Sequence, residues 1–72
     1  MEPYQEVWND SLRFFNHYSS KMPLSEAEWE ELISMLPKFV ARHPDHAAFA
    51  RKMILAVESE LEVIDKARRI TA

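Results

Sequence analysis

The sequence predicts an all-α protein, a three-helix antiparallel bundle, and three observations carry that expectation. Apolar residues recur in three runs at the spacing of helices, not in the alternation of half-buried strands. Proline punctuates the chain at Pro3, Pro23 and Pro44, at the edges of those runs. There is no glycine, the residue on which primed hairpin turns, phosphate-cradling loops and dinucleotide fingerprints rely. Seventy-two residues make one domain, 1–72, near the lower limit for a chain that folds without disulfides or metal.

The first helix is expected over 3–20. Pro3 suits the opening position, where its missing N–H costs nothing. Tyr4, Val7, Trp8, Leu12, Phe14, Phe15 and Tyr18 share one face, a stripe roughly 160° wide. Glu2, Glu6, Asn9, Arg13, Asn16 and His17 lie opposite. Only Ser11 and Ser19 intrude on the apolar side.

"KMPL" breaks the pattern, with Met22 and Leu24 as apolar plugs for the end of the core. "SEAE" then restarts a helix: Ser25 followed three positions later by Glu28 is a capping box. Glu26, Glu28, Glu30 and Glu31 crowd the opening turns, where the helix dipole favours negative charge. Trp29, Leu32, Ile33, Leu36, Phe39 and Val40 keep one phase on both sides of Pro37. One helix over 26–42, kinked at Pro37, is therefore expected, not two short ones.

"RHPDH", residues 42–46, concentrates two histidines and an aspartate, and raises the question of a metal or catalytic site. Each residue also has a role as a joint between helices. Arg42 complements a helix C-terminus, and Pro44 opens the next helix after His43, or Asp45 caps it. A metal would need a fourth ligand beyond His43, Asp45 and His46, and none recurs nearby at helical spacing. The stretch is read as a joint.

The third helix is expected over 45–70. It carries two adjacent apolar seams, Phe49, Met53, Ala56, Val63, Ala67 and Ile70, and Ala50, Ile54, Val57, Leu61 and Ile64. A helix with two seams can touch two neighbours at once. Glu62–Lys66 and Asp65–Arg69 have the favourable acid-first order and are placed on its outer side. Short connections make consecutive helices antiparallel. Counting from the turns puts Leu12, Ile33 and Val57 in the middle layer and Phe15, Trp29 and Glu60 in the next. Glu60, between Ala56 and Val63 in a seam, is expected to be buried and hydrogen-bonded by Trp29 or Tyr18, whose N–H and O–H need acceptors.

Function is bounded mainly by what is missing. No cysteine is present, which excludes disulfides, thiolate metal sites and cysteine nucleophiles and fits a reducing compartment. The first thirty residues hold no uninterrupted apolar h-region, and no apolar run approaches the roughly 18 residues of a membrane span. A soluble, cytoplasmic protein is expected. No serine sits at a strand-to-helix elbow beside a histidine, and paired carboxylates fall on solvent faces, so no catalytic residue, cofactor or small-molecule substrate is assigned. The net charge of −3 disfavours nucleic acid. A weak DNA-binding helix-turn-helix arrangement using Arg42, Arg51 and Lys52 is the alternative reading. The leading one is a non-catalytic interaction module that pairs with itself or another protein. Helix 3 outruns its neighbours near Ala67–Ile70, so Ile70, with Leu61 or Leu55, is the expected homodimer contact.

Overall fold

In a computed structural model that describes residues 3–71, the chain forms α1 (Pro3–Ser19), α2 (Glu26–Ala41), a 3₁₀ turn (Pro44–His46) and α3 (Ala47–Thr71). These bounds lie within two residues of those expected. The capping box is complete: the Ser25 hydroxyl accepts from the Glu28 N–H at 3.2 Å, and the Glu28 carboxylate accepts from the Ser25 N–H at 2.9 Å. Those two bonds hold the Glu28 carboxyl below its usual pKa. His43 caps the 3₁₀ turn and Pro44 opens it, so α3 proper begins only at Ala47.

α2 passes through Pro37 without a break. Replacing Pro37 by alanine restores an N–H for the Ile33 carbonyl inside a continuous helix. The expected result is a neutral to stabilising change, up to about 3 kcal/mol. A fall in thermal midpoint would mean that the proline ring itself is required.

α3 is the central element. It packs along both other helices, whereas α1 and α2 approach each other only sparsely. The Tyr4 ring meets the His46 and Phe49 rings at centroid distances of 4.3 and 5.2 Å, so α1 and α3 start at the same end. At the far end the Leu24 N–H donates to Asp65. α1 and α3 are therefore parallel and α2 runs against both. The molecule measures 41 × 19 × 15 Å, its length set by the 25 residues of α3 at about 1.5 Å each.

The core takes Val7, Phe14 and Tyr18 from α1, Leu32 and Phe39 from α2, and Ala50, Ile54 and Leu61 from α3, with Met22 and Leu24 plugging one end. Its α1 line runs Val7, Ser11, Phe14, Tyr18. Ser11 is not an intrusion but the centre of that line, 2% exposed, with its hydroxyl donating to the Val7 carbonyl at 2.8 Å. A small side chain there lets α1 lie close to its neighbours, and that turns the other edge of the wide stripe outward. Leu12 and Ile33, expected in the middle layer, are both more than half exposed.

Three more expectations are overturned by the rotation of α3. Ala50, Ile54, Leu61 and Asp65 point into the bundle. Glu60 precedes Leu61, about 100° away on the helix surface, and is exposed. It is not the buried carboxylate; Asp65 is, at 6% exposure. Leu61 is fully buried within the single chain, so it cannot contribute to a contact between chains. Among the described residues the Glu62–Lys66 ion pair does not form, while Asp65–Arg69 does, on the inner side of the helix.

Candidate interaction surface

Among the described residues the buried polar side chains are occupied in holding the fold. Asp65 fastens the α1–α2 connection to α3: it accepts from the Leu24 N–H at 2.8 Å and from the Arg69 Nε at 2.6 Å, and Arg69 also donates to the Leu24 carbonyl. Burial pushes the Asp65 carboxyl up. The Arg69 hydrogen bond, the Leu24 N–H, the Arg69 charge and the Trp29 side chain outweigh that and hold it below its usual value. The half-buried Trp29 thus does serve a carboxylate, but a different one from Glu60. Tyr18 is buried as expected, against Phe14 at a ring distance of 4.9 Å. Burial, then the nearby charge of Glu31, raises its phenol pKa.

The 42–46 stretch is a joint. His43 Nε2 lies 2.8 Å from the Asp10 carboxylate, and Arg13 holds the other oxygen of that carboxylate at 2.7 Å. His43 also packs on Phe39 at 5.3 Å, and Arg42 stacks over the same ring at 5.6 Å. His46 lies on Tyr4, so His43 and His46 are held by different partners, and Asp45 is exposed to solvent. Among the described residues no group of three or more His, Asp or Glu could hold a metal ion, and no buried side-chain nitrogen or oxygen lacks a partner. None of the helices among those residues is long and apolar enough to cross a membrane.

Exposed and half-exposed apolar side chains line a groove between each pair of helices. The α1–α2 groove has a floor of Phe14, Tyr18 and Met35 under a rim of mixed charge that includes Arg13, His17, Glu31 and Arg42. The α2–α3 groove, about 310 Å³, is lined by Leu36, Pro37, Val40, Arg51, Ile54 and Leu55. Leu55 is half exposed there. Arg42 and Arg51 therefore stand in different grooves, and Lys52 follows Arg51 by about 100° of helix surface. The three basic residues considered for DNA do not share one face.

The third groove opens between α1 and α3. Trp8, Leu12, Phe15, Met53 and Val57 line its middle, and Phe15, Val63, Ile64 and Ala67 continue it toward the far end. Tyr4, Trp8, Leu12 and Val63 are each more than half exposed. At such fractions side chains of this kind expose on the order of 100 Å² apiece. Ile70, 75% exposed, extends the same side of α3, three positions beyond Ala67. Of the residues expected at an interface, Ile70 is thus on this face, Leu55 on another and Leu61 on neither. Periodicity places Trp8, Leu12 and Val63 in the core; on α1 the signal that frees Trp8 and Leu12 is Ser11, spaced with Val7, Phe14 and Tyr18 as a line of its own, whereas nothing on α1 bears on Val63 of α3.

No protein-family model, curated protein or solved structure matches this chain.

Proposed function

We propose that the chain is a cytoplasmic, non-catalytic interaction module that works as a homodimer, joined through the α1–α3 face. The observation that carries this reading is the unbroken apolar strip of Tyr4, Trp8, Leu12, Phe15, Met53, Val57 and Val63, running most of the length of the molecule. Its four most exposed side chains alone present roughly 400 Å² of apolar surface, within the range of about 300–600 Å² that marks functional patches on monomers. With its polar rim the face approaches the roughly 800 Å² that each partner gives to a stable interface. The single chain exposes 4974 Å² for its 8.5 kDa, against about 4,650 Å² for a compact monomer of that mass. The rim on α1 supports the reading as well, because Gln5, Asn9 and Asn16 carry no charge to desolvate.

Sedimentation equilibrium tests it. The wild-type chain is expected to be a dimer at micromolar concentration. Trp8→Glu or Leu12→Glu is expected to weaken association by roughly a hundredfold or more, since each buries a charge at an apolar centre. Helix content should hold, because neither residue is in the core. A wild-type monomer of full stability at high micromolar concentration would remove the proposal.

A further inference from the structure

We infer that the two copies join antiparallel, α1 on α1 and α3 on α3, about a two-fold axis that passes Ala56 and Leu12. This rests on the self-association proposed above and gives it a register. Over the stretch from Phe49 to Val63, α3 turns Phe49, Lys52, Ala56, Glu60 and Val63 outward, and their spacing reads the same in both directions about Ala56. Their chemistry is matched to that symmetry: an apolar residue at each end, then a base and an acid, and a small residue in the middle. In an antiparallel pair centred on Ala56, Phe49 meets the second copy's Val63, Lys52 meets its Glu60, and each contact occurs twice. Lys52 and Glu60 are exposed and have no ion-pair partner among the described residues of their own chain. Ala56 is exposed too, and a methyl group on the axis allows the helices to approach to about 8 Å.

The first helix obeys the same centre. The contacts of Tyr4 with His46 and Phe49 fix its height beside α3. Leu12 then lies level with Ala56, consistent with Leu12 and Trp8 sharing a groove with Met53 and Val57. About that level Leu12 meets Leu12, and Trp8 meets Phe15 of the second copy. One axis thus serves both helices. A parallel pair would instead lay α3 on the other copy's α1, where Lys52 and Glu60 meet Trp8, Asn9 and Asn16 and find no opposite charge. Charge therefore selects the antiparallel arrangement.

The chain has no cysteine, so one introduced thiol reports its own symmetry mate. Under mild oxidation the Ala56→Cys variant is expected to run mainly as a covalent dimer on a non-reducing gel. A Val63→Cys variant, whose two copies would lie about 20 Å apart across the axis, is expected to remain largely unlinked. Lys52→Glu and Glu60→Lys should each weaken the dimer about tenfold in sedimentation, since the symmetry repeats every like-charge contact, and the double exchange should restore it. A dimer in which Ala56→Cys links no better than Val63→Cys, or in which the double exchange fails to restore association, would overturn this register while leaving self-association standing. A wild-type monomer would overturn both.

Discussion

Asp65→Ala is expected to cost about 2–4 kcal/mol, most of the roughly 3–5 kcal/mol available to a domain of this size. The substitution leaves the Leu24 N–H in the core without its acceptor and Arg69 without its counter-charge. The half-exposed guanidinium can return to water, so the lost backbone acceptor is the larger part. Asp65→Asn should cost less, because its amide oxygen still accepts from Leu24. Thermal unfolding followed by circular dichroism should show a midpoint lower by on the order of 10–20 °C for the alanine variant. A shift of only a few degrees would mean that the connection is held by Met22 and Leu24 alone.

The same residue sets the acid limb of stability. The folded-state pKa of Asp65 is lowered, so its contribution is complete above its unfolded value of about 3.9 and is lost as pH falls through the folded one. Stability of the Asp65→Asn variant should therefore fall less than that of wild type as pH is lowered below about 4. Glu58 acts in the opposite sense. Burial first, then the hydrogen bond and charge of Glu62, raise its pKa; its contribution is present at low pH and lost as pH rises through the raised value.

Phe39→Ala is expected to cost about 3–5 kcal/mol and to leave the domain largely unfolded. The ring is 0% exposed. It meets Phe14 at 6.2 Å and His43 at 5.3 Å, so it ties α2 to α1 and to the joint that starts α3. Ile33→Ala, on the same helix but more than half exposed, should cost less than about 1.5 kcal/mol. Urea unfolding of the two variants separates them, and equal losses would contradict the orientation of α2 described above.

The helices were legible because their ends are chemically marked: Pro3 and Pro44 open, and Ser25 with Glu28 closes its own box. Pro37 did not mislead, since the apolar phase continued across it. The rotation of each helix was harder to read. In α1 the apolar stripe is wider than its neighbours can cover, and periodicity does not say which edge is hidden. That choice depends on how closely the backbones approach, and so on Ser11, a residue that hydropathy places among the errors. Glu60 and Asp65 pose the same difficulty. Glu60 looked buried from its own helix, whereas the burial of Asp65 depends on Leu24, 41 positions away, whose N–H no local pattern reveals. Exposure at Ile70 and Leu55 followed from their positions at an end and an outer side; Leu61 lay in the inner seam.

The sparse meeting of α1 and α2 has a thermodynamic consequence. Energetically the helices form a series with α3 in the middle, not a closed ring in which each supports both others. A disturbance in α1 reaches α2 chiefly by way of α3, so changes on the two outer helices should be close to additive. Coupling between them is concentrated at Phe14 with Phe39 and at Asp10 with His43. Sequence drift on one outer helix is thereby largely uncoupled from the other, while α3 must remain compatible with both.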